Sequence, residues 1–160
     1  MNEMDARLLR ESFEMAYLAR RSGNHPFGAV LADSDGNVLL RDQNTVVTSA
    51  DCTGHAELNL IRAAVKMFPA TTLTRCSIYA STEPCPMCAG AIFWAGIGRV
   101  VYGLSEEGLY ALTGDTPHKL LLSCRDLYSR GGRKVEVVGP LLETEAVLPH
   151  EGFWVPTTSA

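Results

Sequence analysis

The 160-residue chain is short of several things, and each shortage excludes a class of function. It has no long apolar run: the longest, Ala89 to Gly98, spans only about half of a bilayer's hydrocarbon core at the helical rise. It has no excess of positive charge. The formal net charge is −4 and the pI about 5.5, so there is no electrostatic footprint for general binding to nucleic acid or to anionic membranes. No internal repeat, low-complexity tract or linker interrupts it, and its length is that of one domain. We therefore expect a single domain over residues 1–160. Cysteines are few and odd in number (Cys52, Cys76, Cys85, Cys88 and Cys124), which argues against a paired disulfide framework. Met1 to Arg21 carries Glu3, Asp5, Glu11 and Glu14, so it resembles neither a secretory signal nor an acid-poor transit peptide. The expected compartment is cytoplasmic.

What is present reads as alternating helices and strands. Leu9, Phe13, Ala16 and Tyr17 recur at helical spacing and form one apolar stripe, which stops near Gly23. Gly28 to Ala32 is a short apolar strand, Asp35-Gly36 a turn, and Val38 to Arg41 its hairpin partner. Thr45 to Gly54 is polar and reads as a loop. From His55 the pattern is helical again, with Leu58, Ile61, Val65 and Phe68 on one face and Pro69 as the stop. Cys76 to Ala80 reads as a buried strand. Pro86 suits the first turn of a helix that is apolar nearly all round to Ala95, and is thus expected to be buried. Arg99 to Tyr102 and Val135 to Val138 are further strands, with a mixed, partly helical segment from Leu109 to Tyr128 between them. This order predicts an α/β sandwich with a mostly parallel sheet and one antiparallel hairpin.

Two segments carry chemistry: His55-Ala56-Glu57 and Pro84-Cys85-Pro86-Met87-Cys88. Cys85 and Cys88, three apart at a helix start, present their sulfurs on one face. A helix N-terminus lowers thiol pKa, and thiolates are what zinc binds. One imidazole and two thiolates make a three-ligand Zn2+ set that leaves the fourth tetrahedral position open, as catalytic zinc sites do. Glu57, at the first turn beside His55, is a candidate general acid–base. A competing arrangement uses Cys52-x-x-His55 with Cys85-x-x-Cys88 as a closed, structural four-ligand site in a non-catalytic binding module. It leaves Glu57 without a role.

The paired motifs, H-x-E with P-C-x-x-C, resemble the zinc deaminases of the cytidine deaminase superfamily. Pro26-Phe27-Gly28-Ala29-Val30, Gln43-Asn44 and the run Glu83 to Trp94 are similar to bacterial guanine deaminases and tRNA adenosine deaminases, with coverage from the first helix to about Tyr102. The resemblance implies a three-layer α/β/α sandwich with a mixed five-stranded sheet and a homodimer. It implies a small nucleobase or nucleoside as substrate, most simply a purine such as guanine, losing ammonia by hydrolysis. It also implies a substrate contact from Asn44, aromatic walls from Phe27 and Trp94, and backbone N–H groups of Ala56 and Cys85 beside the reacting atom. Beyond Tyr102, Asp115 and Phe153-Trp154 are the nearest counterparts of an acidic residue and an aromatic tail that closes the site. From the residues alone, Asn44 and Asp115 read equally as turn formers and Trp94 as core. Val135 to Ala160 has no Lys or Arg and four Glu, which favours a small free substrate over tRNA. No membrane contact is expected. His25, His118 and His150, each beside a proline, read as inert turn histidines, Cys76 and Cys124 as buried small groups, and Arg130 to Lys134 as a solvated basic turn.

Overall fold

The computed structural model describes residues 2–154. The terminal positions of the expected 1–160 domain lie outside the described residues. Helix α1 (Glu3–Arg21) is followed by β1 (Gly28–Ala32), β2 (Val38–Gln43), a single turn α2 (Val46–Ser49), α3 (Ala56–Met67) and a short α4 (Ala70–Leu73). Then come β3 (Ser77–Thr82), α5 (Pro86–Trp94), β4 (Arg99–Leu104), α6 (Glu106–Thr113), α7 (Cys124–Ser129), β5 (Glu136–Val138), α8 (Glu143–Ala146) and a 3-10 turn (Leu148–His150). The five strands form one mixed sheet in the order β2-β1-β3-β4-β5. β3, β4 and β5 are parallel, while β1 runs antiparallel to both of its neighbours. The antiparallel part is therefore larger than a lone hairpin. No described helix is long and apolar enough to cross a membrane.

Strand alternation divides the interior into two cores. Ala29, Leu31, Ile78, Ala80, Val100 and Tyr102 point to one face, where Leu60, Ile61 and Ala64 of α3, Ala89 and Ile92 of α5, and Cys124 and Tyr128 of α7 meet them. Val30, Ala32, Tyr79 and Val101 point to the other, against Leu8, Leu9 and Phe13 of α1 and Ala146 of α8. Helices thus cover both faces. The close approach of α1 to β1 requires Gly28, because a Cβ there would run into the Ser12 carbonyl and the Ala16 amide. Cys76 and Cys124 are buried, as expected of small apolar groups.

Two helical expectations and one for a turn change in detail. The buried line of α3 is Ala56, Leu60, Ile61 and Ala64, whereas Val65 is 48% exposed. Small side chains let the helix lie close to β1 and β2, so the alanines rather than the largest residues define the inner face. Helix α5 is not buried all round: Cys88, Ala89 and Ile92 face inward, but Trp94 is 85% exposed. Arg133 in the basic turn is not merely solvated. Its guanidinium donates to the Phe93 and Ile97 carbonyls at 2.6 and 3.0 Å and lies over the Phe93 ring, closing the C-terminal end of α5.

On the α1 face, Arg99 of β4 forms a two-pronged pair with Asp5 at 2.8 and 3.0 Å, and the Tyr79 hydroxyl donates to the same carboxylate at 3.0 Å. Asp5 is buried, and the Arg99 hydrogen bonds hold its pKa below the ordinary carboxylate range. Asp5→Ala strands a partly buried guanidinium and a buried hydroxyl and should cost about 3 kcal/mol at neutral pH. Because the folded pKa is lowered, this stabilisation is present above the ordinary carboxylate pKa and is lost as pH falls through the lowered value. Urea midpoints at pH 7 and in acid should show the gap between wild type and variant narrowing in acid. A constant gap would contradict this account.

Candidate active site

The site lies where the parallel strands end. β3 delivers Thr82 and Glu83 directly ahead of α5, and β4 delivers Glu106 at the start of α6. Crevices outside the carboxyl ends of such strands are the usual ligand positions in open α/β sheets. A cavity of about 460 Å³ opens there. His25, Phe27, His55, Glu57, Cys85 and Glu106 contribute to its walls, together with Leu109 and Tyr110 of α6 and Trp154 of the tail.

Two helices start at its floor. His55 is the N-cap residue of α3 and Cys85 the N-cap residue of α5, both in extended backbone conformation. Neither side chain makes a capping hydrogen bond. An N-cap side chain normally turns back onto its own helix. Here the imidazole and the thiol turn toward each other instead. His55 Nδ1 lies 3.5 Å from Cys85 Sγ and 3.5 Å from Cys88 Sγ. The three ligand atoms lie within 4.8 Å of one another.

These separations fit zinc. With bonds of about 2.3 Å to sulfur and about 2.0 Å to nitrogen, tetrahedral angles place a nitrogen and a sulfur ligand about 3.5 Å apart. Without metal, the cluster shares its protons. The Cys88 thiol hydrogen bond and the His55 ring hold Cys85 down to about 4, while Cys88 is pushed up by that same hydrogen bond and by burial. The Cys85 hydrogen bond raises His55. A cation entering such a set displaces the protons that hold it together. Cys52 is exposed and lies outside this group, so the closed four-ligand arrangement does not form among the described residues.

Glu57 lines the cavity from the first turn of α3 and is 7% exposed; burial pushes its carboxyl up to about 7. Ala56 is buried at the first helical position, where its N–H has no intrahelical acceptor. Phe27 and Trp154 line the cavity with ring centroids 6.1 Å apart, and Phe153 packs edge-on against Trp154 while Arg20 lies over its face. The tail therefore reaches the cavity of its own chain.

Three expected contacts stand elsewhere. Trp94 projects from α5 away from the cavity, and it is neither core nor wall in the single chain. Asn44 is buried beside the site, but its Oδ1 accepts the Val46 N–H at 3.0 Å, the turn role, and it is not part of the wall. Asp115 is exposed in the bend after α6, while Thr113 and Thr116 on either side reach the cavity.

Sequence reasoning passed over several residues. His25 and His118 line the cavity. His150 is buried and its Nδ1 accepts the Trp154 indole N–H at 3.0 Å. An indole can only donate, so the His150 proton resides on Nε2, which faces the Thr82 hydroxyl at 3.5 Å. Burial pushes His150 down to about 4 and keeps it neutral. A proline neighbour marks a turn, and no local pattern says that the turn lies over a cavity. Glu83 and Glu106 were likewise missed. Glu83 accepts the backbone N–H groups of Glu106 and Cys124 at 3.1 and 3.0 Å, tying the starts of α6 and α7 to the end of β3.

Residues 2–104 match the family model described as the cytidine and deoxycytidylate deaminase zinc-binding region. The chain is 42% identical over 157 residues to a probable cytosine deaminase of Schizosaccharomyces pombe, covering 96% of this chain and 94% of that protein. It is 51% identical over 77 residues to a guanine deaminase of Bacillus subtilis, about half of each chain (48% and 49%). A solved structure from work on A-to-I editing by tRNA:A34 deaminases superposes with a TM-score of 0.71 at 28% identity, covering 90% of this chain and 99% of that one.

Purified protein should carry about one zinc per chain by elemental analysis. Cys88→Ser should lose most of it, and Cys52→Ser should retain it. Zinc loss on Cys52→Ser would restore the closed four-ligand site.

Proposed function

The chain belongs to the zinc-binding cytidine and deoxycytidylate deaminase family, and on that premise we propose that it hydrolytically deaminates a small free amino-heterocycle, a purine base such as guanine in the first instance. The observation that carries the reading is a walled cavity with the zinc-ligand cluster and a buried carboxylate at its floor and Trp154 at its side.

His55, Cys85 and Cys88 would hold the zinc. When bound, zinc acts as a Lewis acid that makes a water molecule acidic enough to attack at neutral pH. In this reading Glu57 takes a proton from the attacking water and delivers it to the ring nitrogen, then takes the proton of the added hydroxyl and delivers it to the departing amine. Water adds to the amidine carbon, the C–N bond breaks, ammonia leaves and a ring carbonyl remains. The Ala56 N–H at the start of α3 and the Cys85 N–H ahead of Pro86 are the groups we assign to the developing negative charge, where helix N-termini are favourable. Phe27 and Trp154, in contact with each other, form one aromatic wall against which the flat ring packs, and they limit water. Asn44 steadies the loop ahead of α3, and its amide is the group we assign to an edge of the substrate. Phe153 acts through Trp154. Asp115 would need the bend after α6 to close over a bound ring.

A polynucleotide substrate, the tRNA adenosine reading, is less well supported. The net charge is −4, and no Lys or Arg lines the cavity among the described residues. The full-length similarity to a probable cytosine deaminase makes a pyrimidine base the second reading. The proposal includes a homodimer, supported by the exposed Trp94 and Met87 on α5, because apolar groups so placed gain from burial against a second copy.

Ammonia release should be assayed with zinc-loaded protein and guanine, adenine, cytosine, their nucleosides, ammeline and a pterin. One free base should be turned over, and Glu57→Ala should keep zinc while losing at least about a hundredfold in kcat. Turnover by that variant at the wild-type rate would remove Glu57 from the mechanism. Light scattering should give a particle of twice the 17.3 kDa chain mass. A monomer at micromolar concentration would contradict the dimer.

A further inference from the structure

Two buried acids of the cavity wall, Glu83 and Glu106, are not used by the proposed chemistry; Glu83 is taken up by the backbone N–H groups of Glu106 and Cys124, which leaves Glu106 to be explained. It stands at the first position of α6 and is 3% exposed. Its backbone N–H is engaged by Glu83, which fixes where the residue sits. Its side chain is different: Oε2 is buried and has no hydrogen-bond partner. A buried carboxylate oxygen left unpaired is costly, and a protein retains one where something else supplies the donor. The surroundings offer no cation. Among the described residues, no Lys or Arg lines the cavity, and the neighbouring charged group is the Glu83 carboxylate. Burial first and the Glu83 charge second push Glu106 up to about 7, against weaker hydrogen bonds from the Leu122 backbone N–H and the Tyr110 hydroxyl. Those two donors leave Oε2 without a partner, and the cavity that Glu106 lines is where a further donor would come from.

We propose that Glu106 is a specificity-determining residue that accepts an N–H of the bound heterocycle, so that the site selects rings carrying a second hydrogen-bond donor besides the departing amine. This rests on the deaminase reading for which amine departs, but not for whether a ring binds. Glu106 and the zinc-ligand cluster stand on different elements around one cavity, Glu106 after β4 and the cluster at the starts of α3 and α5. A flat ring spanning them would present its reacting carbon to the cluster and a separate N–H to Glu106. Rings of the diamino or amino-with-ring-N–H type meet that requirement. Rings whose remaining edge carries only lone pairs would face the carboxylate with an acceptor and be disfavoured. Glu106 is thus a binding residue rather than a participant in bond breaking, and its loss should appear in affinity and KM more than in kcat.

The test uses zinc-loaded full-length protein and two probes that differ by one donor, 2-aminopyrimidine and 2,4-diaminopyrimidine. Affinity is read by stopped-flow quenching of tryptophan fluorescence, which is faster than turnover. Wild type should bind the diamino ring about ten- to a hundredfold more tightly, the range for a hydrogen bond to a charged group. Glu106→Gln and Glu106→Leu, checked for unchanged zinc content and melting temperature, should bring the ratio to within about twofold. A merely structural role would weaken both probes together and leave the ratio alone. A ratio unchanged in both variants, equal binding of the two probes by wild type, or no binding of either, overturns the proposal. Failure of the ammonia-release assay with the ratio still dependent on Glu106 would instead remove the deaminase reading and leave Glu106 as the selector of a binding site.

Discussion

Helices α3 and α5 begin side by side, and their cap residues, His55 and Cys85, turn toward each other rather than back onto their own helices. Two N-termini brought together place two positive dipole ends at one point, an unfavourable meeting unless something negative lies between them. Thiolate sulfur answers that requirement. The same arrangement leaves the first N–H groups of both helices without intrahelical acceptors. The floor of the cavity is therefore an electrostatic opening that both the ligand set and the developing charge of the proposed reaction would fill.

The rest of the fold keeps that meeting point in place. β1 and β3 carry the sheet under α3 and α5, and small side chains (Ala56 and Ala64 on α3, Ala89 on α5) allow both helices to lie low on it. Glu83 ties α6 and α7 to the end of β3, and so sets Glu106 and the wall beyond it. On the far face, the Asp5–Arg99–Tyr79 network joins α1 to β3 and β4. The tail comes back along α1, with Arg20 donating to the Pro149 and Glu151 carbonyls at 2.8 and 2.7 Å, and delivers Trp154 to the cavity. Neutral His150 joins this wall to the sheet, since it contacts Trp154 on one side and Thr82 on the other.

Legibility followed how local each signal was. The strand pair around Asp35-Gly36, the helix stop at Pro69 and Pro86 at the first turn of α5 are neighbour effects, and each stands where its residues place it. The metal ligands were legible for the same reason: two short motifs state residue type and spacing together, and the structure brings His55, Cys85 and Cys88 within reach of one ion. Helix faces were less legible. An apolar stripe on α5 does not say whether it meets the chain's own core, and Trp94 lies in solvent in the single chain. The histidines show the limit most plainly. His25, His118 and His150 lie far apart along the chain, and only the folded path of the tail and of the segment after α6 brings His118 to the cavity that His25 lines and sets His150 against Trp154 of its wall.

By itself, the order of residues determined the α/β class, the two motif-bearing helix starts and the residue types of the zinc donor set, because each motif is written in side chains within a turn or two of one another. Tertiary structure alone decided which glutamates became buried acids, where Asn44 spent its oxygen, and that Trp154 lines the cavity of its own chain. Those outcomes depend on what remote segments bring to a point in space. Burial, dielectric and the absence of a partner are properties of that point rather than of any stretch of sequence.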